Sequence, residues 1–308
     1  MSWPETLPGV RRHHPLASHT TYRIGGPADW YLEAVDGLAD LVLGCRQRDI
    51  RLTMLGNGSN LLVSDGGVEG LVVRPTDTAI EVRGEVIHAA AGARMVKVAQ
   101  AAEKAGLTGM EWALGIPGTV GGSVHNNAGC FGSDIESTVT RVDGVTAGGQ
   151  AAAWTTEECA FDYRTSAFRE GALAGAIVTA ADYRLRPGDR TAIRAQMEEI
   201  QQARKRTQPV TGRSTGSVFK NPRGGFAGHL VEQAGLKGRK LGGAMVSLEH
   251  ANFIVNTGGA TAADVAALVG LVQATIEERY GIHLEPEIEV LGRWPDGIPE
   301  AFRGTEPH

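Results

Sequence analysis

The sequence predicts a fold of mixed α and β structure, because short apolar runs typical of strands alternate with segments of helical periodicity. Apolar residues recur at helical spacing in 37–48, 94–105 and 189–206, and strand-like runs separate these segments. Many of the 42 glycines lie in loops between the apolar runs. At 308 residues the chain is expected to hold about two domains.

Composition and charge indicate a soluble globular protein with a sizeable core. Hydrophobic residues make up 42% of the chain and charged residues 21%, which are ordinary values for this class. The formal net charge of -5 argues against general nucleic-acid binding. The start of the chain lacks the layout of a signal peptide, and its uncharged stretches are too short to span a membrane.

Neither the cysteines nor the histidines suggest a metal site. The three cysteines are widely spaced and form no CxxC pair, so we expect reduced thiols in a cytoplasmic protein, without a disulfide framework or zinc. The nine histidines include no HxH or HExxH pair. The sequence therefore predicts no bound metal.

The first part of the chain predicts a β-α-β pattern. Residues 1–19 are polar and Pro-rich, which suggests an arm on the surface. A strand is predicted over 30–35, a helix over 37–48, and strands over 52–55 and 71–73.

The middle part predicts two hairpins, a helix between them, a short capped helix and a strand. In order, these elements are 78–82 with 86–91, 94–105, 137–146 with 151–154, 156–159 and 177–185. The main domain boundary is predicted at 187–189 (Pro-Gly-Asp), where a turn signal closes the strand.

The last part predicts three helices, two strands and a polar tail. Asp189 is expected to cap a helix through Arg206, and the Thr-x-x-Asp signature at 261–264 to open a helix ending near Tyr280. The remaining elements are a helix over 226–234, strands over 252–255 and 283–291, and the tail 292–308.

Two glycine-rich loops give the first indication of a ligand. One is 55–62 (Leu-Gly-Asn-Gly-Ser-Asn-Leu-Leu), and the other is 115–129, which opens Gly-Ile-Pro-Gly-Thr-Val-Gly-Gly-Ser. Such backbone can line up several N–H groups on an anion, and two loops suit a ligand with two phosphates or a long dinucleotide. The alternative is that 115–129 is only a pair of tight turns beside a bulge. Neither loop has the Rossmann fingerprint or a Walker A motif, which predicts a less common nucleotide-binding fold.

Four segments, taken in order, carry a resemblance to a known family. They are 115–129, 163–166 (Tyr-Arg-Thr-Ser), 216–222 (Gly-Ser-Val-Phe-Lys-Asn-Pro) and 285–288 (Glu-Pro-Glu-Ile). From Thr20 to Gly292 the chain resembles UDP-N-acetylenolpyruvoylglucosamine reductase, the MurB family of peptidoglycan synthesis. Because 204–209 runs directly into Ser217, it resembles the shorter subclass, which lacks a substrate-covering loop with a tyrosine.

The resemblance implies an α+β fold with a FAD-binding region like that of vanillyl-alcohol oxidase (PCMH-like), followed by a C-terminal α/β substrate-binding domain. The implied bounds are 1–75 and 76–188 for two FAD-binding subdomains, 189–292 for the substrate domain and 293–308 for the tail. NADPH would reduce FAD and leave. UDP-N-acetylglucosamine enolpyruvate would then enter the same cleft and be reduced to UDP-N-acetylmuramate.

The resemblance also assigns binding residues. Those placed at FAD are Gly56, Asn57, Gly58, Ser59, Asn60, Leu61, Gly115, Ile116, Pro117, Gly118, Thr119, Gly121, Gly122, Ser123, Asn127, Ala128, Gly129 and Ile177. Those expected at the phosphates of the UDP-sugar or of NADPH are Lys205, Lys220, Asn221 and Lys240.

Three catalytic residues follow from the same resemblance. Hydride would pass from flavin N5 to the enolpyruvyl CH2 carbon, and negative charge would develop at the carbon beside the carboxylate. Arg164 and Glu287 are placed at that charge, and Ser217 is placed as the general acid. A glutamate can donate to a developing anion only when protonated, so a raised pKa is predicted for Glu287.

Departures from the family pattern leave the details of the flavin pocket and the substrate pocket open. They are His125 inside the glycine–asparagine loop, 130–132 (Cys-Phe-Gly), Thr215 and Glu249. Two other functions are weighed: another flavoenzyme on the same scaffold, such as an oxidase, and a nucleotide-binding regulatory module without catalysis. The expected setting is a cytoplasmic monomer with no nucleic-acid or membrane partner.

Overall fold

The computed structural model describes residues 3–209 and 213–303. Its larger sheets lie in three successive parts of the chain, each with helices packed against it. This arrangement confirms the predicted α+β class. The first two residues of the predicted arm and residues 304–308 of the predicted tail lie outside the described ranges.

The first part forms a four-stranded sheet in the order β1-β2-β5-β3. Its strands β2, β5 and β3 are parallel, and β1 joins β2 antiparallel. The elements are β1 (Arg11–Pro15), β2 (Pro27–Ala34), α1 (Leu38–Arg46), β3 (Leu52–Met54), β4 (Leu61–Val63) and β5 (Val68–Pro75).

The prediction of a surface arm over 1–19 is wrong for much of this segment. Residues 11–15 are the edge strand β1, Leu16 is fully buried, and a short 3-10 helix follows at Ala17–His19. The prediction missed the strand because the side chains of β1 are polar and mostly exposed, and an edge strand of this kind is held by backbone pairing with its neighbour.

The second part forms a five-stranded antiparallel sheet in the order β12-β11-β13-β7-β6. Its elements are β6 (Ile80–Arg83), β7 (Val86–Ala90), α2 (Met95–Ala105), β8 (Leu107–Thr108), α3 (Val120–His125), β9 (Gly129–Cys130), β10 (Ser133–Asp134), β11 (Val139–Val145), β12 (Ala151–Thr155), β13 (Ile177–Arg184) and β14 (Arg186–Pro187). A 3-10 helix spans Glu111–Gly115. The helix predicted over 156–159 is wrong: these residues form turns.

The third part contains a three-stranded antiparallel sheet in the order β15-β16-β17. Its elements are α4 (Arg190–Thr207), α5 (Ala227–Gln233), β15 (Lys240–Leu241), β16 (Ala244–Val246), β17 (Ile254–Asn256), α6 (Ala262–Tyr280) and β18 (Glu289–Leu291). Both predicted caps are confirmed. Asp189 accepts a hydrogen bond from Ala192 N at 2.8 Å, and Thr261 and Asp264 form a capping box.

Helix α4 packs with the second part of the chain. Ile193 and Met197 are buried in the same core as Trp112 and Leu185. Helix α4 therefore contributes to the core of the second part, and the domain boundary at 187–189 stays a prediction.

The last strand pairs with a strand from the first part of the chain. Strand β18 pairs in parallel with β4, which directly follows the first glycine loop. The strand predicted over 283–291 is regular only at 289–291. The prediction that the chain ends in a polar tail is wrong for its described part, since Phe302, in a 3-10 helix at Glu300–Phe302, is fully buried and Arg293 pairs with Asp29 at 2.6 Å.

Candidate active site

The two glycine-rich loops face each other across a narrow gap. Asn57 Nδ2 donates a hydrogen bond to Pro117 O at 2.8 Å. A Cβ atom added to Gly56 would lie 2.7 Å from Thr119 Oγ1, and one added to Gly118 would lie 3.6 Å from Ser59 Oγ. Glycine at these positions therefore keeps the space between the loops open.

A cavity of about 920 Å³ extends from this gap, a volume near the upper end for ligand sites. All the predicted cofactor residues line it except Asn127. Asn127 is instead buried in the loop, where its amide donates to Asp162 O and accepts from Glu136 N. Its predicted contact with the cofactor is thus not supported, and it braces the loop behind the cavity.

Ser123 is one of the cavity-lining residues whose side chain has a buried polar atom without a hydrogen bond. Ser123 is 2% exposed, and its Oγ has no hydrogen-bond partner within the described residues. Buried hydroxyls are nearly always paired in folded proteins. A ligand oxygen between the glycine loops would satisfy it, as the phosphates of a dinucleotide do, so the residues present fit FAD.

Backbone pairing between distant segments brings Ser217 beside Glu287. Glu287 N donates to Val218 O at 2.7 Å, and Lys220 N donates to Glu285 O at 2.8 Å. Asn60 Nδ2, from the first glycine loop, also donates to Glu287 O at 3.2 Å. Three segments far apart in sequence are therefore fixed against one another at the cavity.

Arg164 lies at the same cavity in an unusual backbone conformation. Its φ is +60°, a left-handed value that strains most residues other than glycine. Its Nη2 donates to Gly129 O at 2.8 Å, and its Nε lies 2.7 Å from Glu287 Oε1 without the alignment of a hydrogen bond. Ser217, Arg164 and Glu287 all line the cavity, so the structure brings the three predicted catalytic residues together.

Burial raises the pKa of Glu287 above its usual value, although the Arg164 guanidinium acts to lower it. The direction agrees with the prediction from sequence. A substrate carboxylate arriving at Arg164 would raise this pKa further, because two like charges would then share one cation.

Comparisons with known proteins give matches in both the N-terminal and the C-terminal parts of the chain. The C-terminal domain model of UDP-N-acetylenolpyruvoylglucosamine reductase matches residues 208–291, and an FAD binding domain model matches 30–154. The UDP-N-acetylenolpyruvoylglucosamine reductase of Limosilactobacillus fermentum is 44% identical over 287 residues, covering 92% of this chain and 95% of the relative. That of Bacillus licheniformis is 42% identical, with 92% and 94% covered.

This chain belongs to the UDP-N-acetylenolpyruvoylglucosamine reductase family. A crystal structure of the MurB reductase from Thermus caldophilus has a TM-score of 0.79 and 38% identity, covering 92% of this chain and 99% of that one. The match confirms the predicted fold of an FAD-binding region with a C-terminal domain. The chain is an oxidoreductase, and its cofactor is FAD.

The structure separates the predicted substrate residues of this reductase. Lys205 lines the cavity together with Arg204 and Gln208. Lys220, Asn221 and Lys240 are not among the lining residues: Lys220 pairs with Glu285, Asn221 accepts from Ala227 N, and Lys240 is exposed in β15. The prediction that they bind phosphates gains no support from the shape of the cavity.

Two buried charged residues that line the cavity were missed from sequence. Arg169 and Glu289 are each 3% exposed at the cavity and lie 3.6 Å apart. The spacing of the two glutamates could have indicated Glu289. It lies two residues after Glu287 in the strand predicted over 283–291, and residues two apart share one face of a strand. His125, a departure from the family pattern, lies 3.8 Å from Glu289.

We expect Gly118→Val to weaken FAD binding at least about 10-fold, since a branched side chain would enter the gap between the loops. A tenfold loss of affinity corresponds to about 1.4 kcal/mol of binding free energy. Gly118 does not have a positive φ, so its backbone accepts a side chain. Titration of the apoprotein with FAD, followed by flavin fluorescence, measures the change. Gly225→Val, at a position where an added Cβ would come no closer than 4.0 Å to Pro222 Cγ, is the control. Equal affinity for both variants would contradict a ligand between the loops.

Proposed function

We propose that this protein catalyses the NADPH-dependent reduction of UDP-N-acetylglucosamine enolpyruvate to UDP-N-acetylmuramate, the activity of UDP-N-acetylmuramate dehydrogenase. The observation that carries this proposal is the shared cavity. Its walls contain both glycine loops together with a hydroxyl, a guanidinium and a carboxyl group from three distant segments. Membership of the family supports the same substrate.

Binding of FAD rests on the residues around the gap. Residues 56–59 and 118–123 would hold its pyrophosphate, and the unsatisfied Ser123 Oγ would donate to it. When bound, FAD supplies hydride transfer, taking a hydride from NADPH and giving one to the CH2 carbon of the enolpyruvyl ether. The protein residues would then stabilise the developing negative charge and supply the proton.

Arg164 and Glu287 would stabilise the charge that develops on the substrate. As hydride adds to the CH2 carbon, an electron pair moves to the carbon beside the carboxylate. The guanidinium can bind that carboxylate, and a protonated Glu287 can donate a hydrogen bond to it. Preorganised groups of this kind supply much of an enzyme's rate enhancement.

Ser217 would complete the reaction by giving its hydroxyl proton to that same carbon. The C=C bond is thereby replaced by new C–H bonds at both carbons, which converts the enolpyruvyl ether to a lactyl ether. The serine oxygen then recovers a proton from solvent. A hydroxyl is a weak acid, but a carbanion-like enolate is a strong base, and Ser217 stays protonated across the physiological pH range.

The role of Glu287 predicts a pH dependence. Because burial raises its pKa and its protonated form is the donor, reduction of the sugar should slow as pH rises through that pKa. Glu287→Gln keeps an N–H donor that does not titrate. The fall in the rate of sugar reduction with rising pH, which is the alkaline limb of the pH–rate profile, should therefore flatten in this variant. Single-turnover reoxidation of the reduced enzyme by the sugar, measured across pH, checks this. An unchanged limb in the glutamine variant would exclude Glu287 as the titrating group.

The proposed setting is a cytoplasmic monomer that serves peptidoglycan precursor synthesis and, through it, cell shape and division. Within 3–209 and 213–303, the structure has no helix with the length and apolar character needed to cross a membrane.

One anaerobic experiment tests the proposed function. The holoenzyme should lose its yellow colour with NADPH and recover it on addition of UDP-N-acetylglucosamine enolpyruvate. If the sugar leaves the reduced flavin unchanged while oxygen restores the colour, an oxidase is favoured. If NADPH leaves a bound flavin oxidised, a regulatory module without this catalysis is favoured.

A further inference from the structure

A polar cluster built around the buried ion pair of Arg169 and Glu289 lies beside Arg164. It consists of Arg169, Glu289, His125 and Asn126, and all four residues line the cavity. Arg169 Nη1 lies 3.6 Å from Glu289 Oε1, and His125 Nε2 lies 3.8 Å from Glu289 Oε2. Unpaired charges are costly to bury, so each charge here depends on its neighbours.

Arg169 contacts the backbone of Arg164 itself. Its Nη1 donates to Arg164 O at 3.2 Å and to Asn126 Oδ1 at 2.8 Å. The carbonyl it holds belongs to the residue with φ of +60°. Strained residues of this kind persist only where the surroundings fix them, and Arg169 supplies one of those contacts from a fully enclosed position.

Glu289 forms an ion pair with Arg169 in turn, at 3.6 Å and without a hydrogen bond. Burial alone would raise the pKa of Glu289, but His125, Arg169 and Asn126 hold it below its usual value, so the carboxylate is charged. Its Oε1 has no hydrogen-bond partner in the described part of the chain. Glu289 N donates to Asn60 O at 2.9 Å, which fixes its backbone to the first glycine loop.

Glu287 and Arg169 contact different parts of Arg164. Glu287, two residues before Glu289, contacts Arg164 at its side chain. Arg169, anchored by Glu289, contacts Arg164 at its main chain. Arg164 is thus contacted at two places: Glu287 lies at its guanidinium, and Arg169 donates to its main-chain carbonyl.

We propose that Glu289 and Arg169 are positioning residues, which hold Arg164 in the geometry that binds the substrate carboxylate. The inference rests on the proposed function and adds two residues to it. In this role the two residues would act through Arg164 and not on the reacting atoms. Their effect should therefore be confined to the steps in which Arg164 takes part.

The test compares Glu289→Gln with Glu170→Gln in the holoenzyme. Glu170 is the exposed carboxylate that lies 3.4 Å from Nε of the same arginine. We expect Glu289→Gln to lower the rate of flavin reoxidation by the enolpyruvyl sugar about 10- to 100-fold, as small misplacements of a positioning group do. Flavin reduction by NADPH should change less than about twofold, and Glu170→Gln should match the unmodified protein in both steps.

A double-mutant cycle separates positioning from a general structural role. In an Arg164→Lys background, Glu289→Gln should have little further effect on reoxidation, because the group it positions is already altered. Multiplicative losses would overturn the proposal, as would equal losses in both half-reactions. If Glu289→Gln does not fold, Arg169→Lys, which keeps the charge but loses the fork that reaches Arg164 O, replaces it in the same cycle.

Failure of this inference is distinguishable from failure of the proposed function. If the unmodified holoenzyme does not pass hydride to the sugar, the proposed function fails. If it does, and Glu289→Gln and Arg169→Lys both reoxidise at its rate, only the positioning role fails. Binding of the sugar to the oxidised enzyme, read from the flavin absorbance spectrum, should weaken in Glu289→Gln, and unchanged affinity with an unchanged rate would overturn the inference.

Discussion

Ser217→Ala is expected to slow reoxidation of the reduced flavin by the enolpyruvyl sugar by roughly 10²- to 10⁴-fold, the usual contribution of a general acid. Reduction of the flavin by NADPH should stay near the rate of the unmodified enzyme, because that step needs no proton from a serine. The substitution removes only a hydroxyl from a half-buried residue, so the fold should persist. Stopped-flow absorbance measures the two half-reactions separately.

Ser217→Cys provides the matched control for this prediction. A thiol is a stronger acid than a hydroxyl and occupies nearly the same place, so it should recover part of the lost rate. Solvent can also protonate the substrate slowly, which leaves a residual rate in the alanine variant. Equal losses in the NADPH and sugar steps would show that Ser217 supports the cofactor site and not proton transfer.

The sequence was sufficient to predict those features that depend on residues within one short segment. The two glycine loops, the Asp189 cap and the Thr261 capping box were all visible locally, because turn and cap chemistry depends on neighbouring residues. The three proposed catalytic residues came from motif order. Their meeting depends on pairing of 218–220 with 285–287, which no single segment encodes.

What sequence missed depends on tertiary contacts. Arg169 follows the motif at 163–166 and looks like an exposed arginine until its contacts with Arg164 and Glu289 are seen. Phe302 lies in a polar stretch, yet it is buried in the core around α6. The 156–159 segment has a capping signature, but four residues are too few to sustain a helix without packing.

Arg164→Met is the second substitution with a large expected effect. Methionine keeps much of the apolar stem but removes the cation, so reduction of the sugar should fall about 10²- to 10³-fold, the usual loss when one charge-stabilising donor is removed. Glu287 would lose the group that lowers its pKa, and its limb of the pH profile should move to higher pH. Single-turnover reoxidation across pH measures both effects.

Arg184→Met is the control for Arg164→Met, since Arg184 is an exposed arginine at the end of β13. It should leave both half-reactions unchanged, because removing an exposed charge alters little in the cavity. Binding of the sugar to the oxidised enzyme should weaken only in Arg164→Met. If Arg164→Met binds and reduces the sugar as well as Arg184→Met does, the substrate carboxylate is held elsewhere. Arg204 and Lys205, which line the same cavity, would then be the next cations to replace.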